Sequence, residues 1–236
     1  MKTLLLLFRD ELNGFYKSGV MIALWVFLPL LGILLYFLIG NNAMPMGPPQ
    51  PDGSNMPEFT LPASVFIGLI VSNIGAQITS LVLTVNIINE KTKNVYDIFV
   101  IRPIKRSHLL LAKFFSVFIC VGLACILALL AGVLLDVING RPMTGRMLES
   151  QLESFVMSLG IVGVMSAVGI LFGVMTDSII VGVILILFLG GFVIYFPTLP
   201  PLLGLPNSTF WSLISGGAAT AGLLALAGAI FNKKQF

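Results

Sequence analysis

Few side chains in this chain could do chemistry, and their spacing argues against catalysis. The single histidine, His108, opens an apolar run with neither a carboxylate pair nor a nucleophilic serine motif around it. A polar residue at a membrane interface is its ordinary reading. Cys120 and Cys125 both lie inside an apolar run and lack the further ligands that a metal site needs, so they read as packing residues. Met44, Met46 and Met56 offer soft sulfur atoms, but no Cys or His stands near them to complete a soft-metal site. No Gly-x-x-x-x-Gly-Lys-Ser/Thr run occurs, so the chain does not hydrolyse ATP through a P-loop of its own. The sequence therefore offers no catalytic residue and no metal ligand.

Two other constellations are more informative. Asn73, Gln77, Ser80 and Thr84 are spaced by four, three and four, which puts them on one face of a helix. Amides and hydroxyls in lipid are costly unless they bond to something, so this face turns toward protein or toward a water-filled translocation pathway. As interhelical glue such groups are worth roughly 0.6–2 kcal/mol per bond; the two roles are compatible. The second constellation is the segment 89–108, continued to Lys113, which holds six of the thirteen basic residues. Charge of this density between two apolar runs is poorly placed for work in lipid and well placed to meet a soluble partner.

The elements that carry these residues follow from composition. The chain has 236 residues, 57% hydrophobic and 10% charged, with mean hydropathy +1.04; soluble domains carry about 25% charged residues. A helix crossing the hydrocarbon needs about 20 apolar residues. Six segments qualify, namely Gly19–Gly40, Ala63–Ile88, Leu109–Val137, Phe155–Met175, Ile179–Phe196 and Phe210–Phe231. None alternates polar and apolar residues as a barrel strand does, so an all-α polytopic membrane protein of one domain is predicted. Net charge +3 and pI near 9.0 fit basic loops on a membrane protein and call for no nucleic acid.

Charge also sets an expected orientation. Lys2, Arg9 and Lys17 precede the first span, the cluster Lys91 to Lys113 follows the second, and Lys233 and Lys234 end the chain. With six spans all lie on one side, which the positive-inside rule makes cytoplasmic, with both termini. Residues 41–62 hold six prolines and no basic residue, as expected of an irregular extracytoplasmic loop. Residues 1–18 are amphipathic, with Leu4, Leu5, Phe8, Leu12 and Phe15 on one face, and suit a helix in the headgroup plane; Gly14 and Lys17-Ser18-Gly19 favour a break after it. The fragment at residues 197–209 is apolar but broken by prolines, which fits a re-entrant segment buried in protein. Asp177 or Ser178 is a natural N-cap for the fifth span. Gly160, Gly163, Gly169 and Gly173 in the fourth span, and Gly216, Gly217, Gly222 and Gly228 in the sixth, allow close helix contacts within the chain or with a second copy.

At the connector the chain resembles the membrane permeases of type-2 ATP-binding-cassette exporters. Glu90-Lys91, Asn94-Val95, Asp97, Pro103 and Lys113 match in spacing the family's run of Glu-Lys/Arg-Glu-x-Gly-Thr, then a Pro, then a Gly-Lys entering the third helix. Thr92, Asn94 and Val95 depart from it. Asp10-Glu11-Leu12 in the amphipathic start, six spans and the broken segment before the last extend the resemblance over nearly the whole chain. It implies a permease that pairs with a second copy or a related chain and with two separate ATPase subunits. ATP and magnesium then belong to those subunits, and this chain carries no cofactor. It also implies that the short helix between spans two and three is a coupling helix that docks on the ATPase, so Glu90, Lys91, Asp97, Arg102, Pro103 and Lys113 become coupling residues. Read from the residues themselves, Val95, Ile98, Phe99 and Ile101 or Arg102 form a mixed face on one or two turns, with Phe99 its apolar anchor.

The function expected is thus an ABC permease in the cytoplasmic membrane, surrounded by lipid and open to accessory proteins, moving its substrate outward on ATP hydrolysed elsewhere. A self-contained secondary transporter or channel would show charged residues deep in its spans or inverted repeats, and neither is visible. A membrane assembly factor without transport is the third reading.

Overall fold

A computed structural model describes residues 2–40, 62–93, 106–140, 145–193, 195–204 and 207–233. Among these no strand occurs. The expected loop at residues 41–61 and the connector residues Asp97, Phe99, Arg102 and Pro103 lie outside them. Helix α1 (Lys2–Lys17) is followed by α2 (Val20–Leu35), which continues as a π turn, Tyr36–Gly40. Then come α3 (Ala63–Thr92), α4 (Arg106–Ile138) and α5 (Gly145–Met175). Helix α6 (Ile179–Leu185) runs into a second π turn, Ile186–Gly190, and a last α turn, Gly191–Val193. A 3₁₀ turn (Phe196–Thr198) and the short helix α7 (Leu199–Leu202) lead to α8 (Ser208–Lys233). Among the described residues, six helical stretches are long and apolar enough to cross a membrane: Val20–Ile39, Ala63–Thr92, Ser107–Ile138, Leu148–Met175, Ile179–Thr198 and Thr209–Lys233.

The chain breaks between α1 and α2 where the sequence predicts it. Gly19 has φ 72°, the left-handed region that a residue without Cβ enters freely. Leu7 and Phe15 of α1 pack on the core, and Leu5 and Leu6 turn away, about two-thirds exposed (65% and 60%). Leu5 therefore does not share the bundle-facing side with Phe15.

Helix α3 is the centre of the bundle, packed chiefly on α5 and α4. Small residues set the closeness of these crossings. A Cβ on Gly169 of α5 would lie 2.5 Å from the Ser80 carbonyl oxygen and 2.7 Å from the Ser80 Cα, and one on Gly173 would lie 3.0 Å from Ile87 Cβ. Across the α3–α4 crossing a Cβ on Gly132 would meet Ser64 Cα at 2.5 Å. The glycine spacing of the fourth span is thus used inside the chain. In the sixth, Gly216 packs beside Gly160 and Pro197, whereas Gly217, Gly222 and Gly228 face open space. Pro197, in the proline-broken segment, is buried against both Gly160 and Gly216. Cys120 and Cys125 are buried free thiols, and the Cys120 carbonyl accepts a hydrogen bond from Trp25 Nε1 at 3.0 Å.

The start of α3 has no local cap. Pro62 precedes it and supplies no side-chain bond, which leaves the first backbone N–H groups of the helix unserved. Asp136, near the end of α4 and fully buried, takes that role: Ala63 N and Ser64 N donate to Oδ1 and Oδ2 at 2.8 and 2.9 Å. A carboxylate is favoured there by the positive end of the helix dipole. Asp136→Asn keeps the shape but offers one carbonyl oxygen and no charge. Losing a charge-assisted bond costs about 1.5–3 kcal/mol, so the thermal midpoint of the detergent-extracted protein is expected to fall by several degrees; an unchanged midpoint would reject the cap.

Candidate functional site

The two roots of the connector are held by two lysines, one on each of the helices it joins. Lys113, two turns into α4, is 1% exposed, with its stem in the core and its ammonium at the bundle end where α3 stops. Its Nζ donates to Glu90 Oε1 in the last turn of α3 at 2.6 Å and to Glu11 Oε1 of α1 at 2.8 Å. The carboxylates, 23% and 21% exposed, reach in from the solvent side. One buried ammonium thus ties together α1, α3 and α4.

Lys91, the next residue along α3, turns the other way, onto α5. Its Nζ donates to the carbonyl oxygens of Thr176, Val174 and Gly173 at 2.6, 3.1 and 3.3 Å and pairs with Asp177 Oδ1 at 2.6 Å. An ammonium has three N–H donors, so the longest of the four contacts is shared. The last carbonyls of a helix lack intrahelical partners and carry partial negative charge, which a lysine relieves. Lys91 therefore caps the end of α5. Asp177 is engaged with it, and Ser178, at the N-cap position of α6, makes no side-chain cap bond. The expected capping of the fifth span by the Ser178 side chain is corrected accordingly. Opposite demands on neighbouring residues follow from helix geometry: positions 90 and 91 point about 100° apart, toward α4 and toward α5.

The polar face of α3 divides between two settings. Ser80 and Thr84 are fully buried at the α5 crossing, where Thr84 Oγ1 donates to the Gly169 carbonyl at 2.7 Å. Asn73 is exposed and its Nδ2 donates to Leu69 of its own helix at 2.7 Å. Gln77 is half-buried, and its Oε1, like Ser80 Oγ, has no hydrogen-bond partner among the described residues.

Two hollows adjoin these elements. A polar groove of about 250 Å³ lies beside the Lys113 cluster, lined by Glu11, Gly14, Phe15 and Ser18 from α1 and its turn, and by Asn86 and Glu90 from α3. A larger apolar one, about 420 Å³, runs between α4, α5 and α8, with Phe114, Phe118, Leu159 and Leu213 among its walls. No group of three or more His, Cys, Asp or Glu able to hold a metal is found among the described residues.

Sequence reasoning selected Glu90, Lys91 and Lys113 but missed what they touch. Glu11 and Asp177 are their partners, and Asp136 caps α3. One signal for Asp136 was available: it is an acidic side chain inside an otherwise apolar run, a position that demands a partner.

Among the described residues, six membrane-length helices with α3 at their centre, and charged joints gathered where the connector enters and leaves, define a polytopic membrane domain. The family model described as ABC-2 family transporter protein matches residues 16–193. The chain belongs to that family. No curated protein matches it. It is a multi-pass membrane protein, the permease component of an ABC transporter, in a family that works with ATP-binding-cassette subunits. The match takes in Glu90, Lys91, Lys113 and Asp177 but not Glu11.

Proposed function

We propose that this chain exports its substrate across the cytoplasmic membrane, driven by ATP and magnesium bound to two separate ATPase subunits, and that it does so paired with a second permease copy. The observation that carries the reading is the double anchoring of the connector. Glu90 joins its root to α4 through Lys113, and Lys91 joins it to α5. A push on the connector by a closing ATPase is then delivered to three spanning helices at once. Bonds to buried charge transmit such displacement with little give, since breaking one is costly.

In this reading Glu90, Lys91 and Lys113 work inside the permease as the mounts of the connector, and the ATPase is met by the residues between the mounts: Asp97, Phe99, Arg102 and Pro103. The basic end of the bundle faces the cytoplasm. Asn73 and Gln77 border the translocation pathway, while Ser80 and Thr84 hold α3 to α5. The apolar groove favours a cargo with an apolar part, such as an amphipathic molecule.

Phe99→Asp tests the docking. A charge in place of an apolar anchor typically costs about 2 kcal/mol or more at an interface, roughly thirtyfold in affinity. The variant is expected to insert in the membrane normally and to lose co-purification with its ATPase. Retention of the ATPase at the unmutated level would remove Phe99 from the interface. Single cysteines at Ser54 and Lys93, placed in a background without Cys120 and Cys125, test the sidedness by external labelling of intact cells. Only Ser54 should react; equal labelling at both positions would overturn the topology.

A further inference from the structure

Helix α1 is set off from the bundle by a short break. At Ser18-Gly19 the glycine takes a positive φ and a Cβ would meet nothing within 4 Å. Its packing is one-sided: α1 rests on α4 and, less, on α2, and it faces α3 across the open polar groove. Its outer side carries Leu5, Leu6 and Tyr16, all more than half exposed. At mid-length Glu11 reaches the buried Lys113, which also holds Glu90 at the connector root. One ammonium serving two carboxylates can keep either one while loosening the other, and an arm facing a groove has room to move when loosened.

We propose that Glu11–Lys113 is a latch, and that α1 engages or leaves the α3–α4 root as the partner ATPases change nucleotide state. This rests on the permease reading and extends it: α1 becomes a moving part of the transmission apparatus, and Glu11 a positioning residue that acts through Lys113. The family match begins at residue 16, so the latch partner on α1 lies outside the segment by which the chain was assigned.

A cysteine pair across the groove reads the arm directly. Gly14→Cys with Asn86→Cys, in a chain lacking Cys120 and Cys125, is assembled with its ATPase subunits in lipid nanodiscs and treated with a short bifunctional thiol reagent. The reaction is compared without nucleotide and after trapping with ATP and vanadate. The expected result is a severalfold difference in cross-linking between the two states, and loss of that difference when Glu11→Gln is added, in complexes that trap nucleotide to the same extent. Glu11→Gln leaves Lys113 paired with Glu90, so the fold is retained. Equal cross-linking in both states overturns the latch whatever the variant does, and so does a nucleotide response that Glu11→Gln leaves intact. Failure of any ATPase subunit to assemble with the unmutated chain would instead overturn the permease reading.

Discussion

Removing both carboxylates from Lys113, by Glu11→Gln with Glu90→Gln, is expected to destabilise the protein by about 3–5 kcal/mol, the usual cost of leaving a buried charge unpaired. The ammonium is at 1% exposure and cannot turn to water. Lys113→Met removes the buried charge instead, and its two carboxylates, each about one-fifth exposed, can hydrate; its cost should be clearly smaller. Combining all three substitutions should recover much of the loss, because an apolar replacement of a whole buried cluster is often tolerated. Thermal unfolding of the extracted protein, followed across these variants and Glu11→Gln alone, gives the test. If the double glutamine variant melts with the unmutated protein, Lys113 is not held by Glu11 and Glu90.

The second large effect is expected at Gly169. A methyl group there meets the Ser80 backbone at 2.5 Å, and backbone cannot swing aside as a side-chain tip can. Helices α3 and α5 must separate, and the bond from Thr84 Oγ1 to the Gly169 carbonyl is weakened with them. Overpacking plus a lost intramembrane hydrogen bond amounts to about 2–4 kcal/mol for Gly169→Ala. The control is Gly217→Ala, where nothing lies within 4 Å; a change within about 0.5 kcal/mol is expected, as for surface sites generally. Equal melting shifts for the two alanine variants would show that the α3–α5 crossing is looser than described.

These two sites differ in how far the sequence revealed them. Gly169 and Gly173 announce a close helix crossing by spacing alone, because only a narrow face lets two backbones approach. What spacing does not supply is the partner, and the same stripe would serve a second copy equally well. The span boundaries were legible for a similar local reason: hydropathy over some twenty residues is decided by the segment itself. The break at Gly19 was legible too. The charged joints were not. Glu11 and Lys113 are 102 residues apart and Asp136 is 72 from Ser64, so their pairing depends on which helices become neighbours. The ion pair of Asp177 was hidden for a related reason: its partner, Lys91, comes from α3, 86 positions earlier in the chain. Asn73 is exposed whereas Ser80 and Thr84 are buried at a helix crossing, and period alone cannot mark where one setting becomes the other.

The π turns at Tyr36–Gly40 and Ile186–Gly190 carry a consequence for how this chain tolerates insertions and deletions. Gaining or losing one residue within a spanning helix ordinarily swings everything beyond it by about 100°, turning a packed face to lipid. A π turn already holds one residue more than the α-helix around it needs. Deleting one residue from Ile186–Gly190 lets the helix close into regular α geometry while Gly191–Val193 keep their facing. At Ile186–Gly190 a gap of one residue in a comparison between chains would mark a local rewinding of the helix.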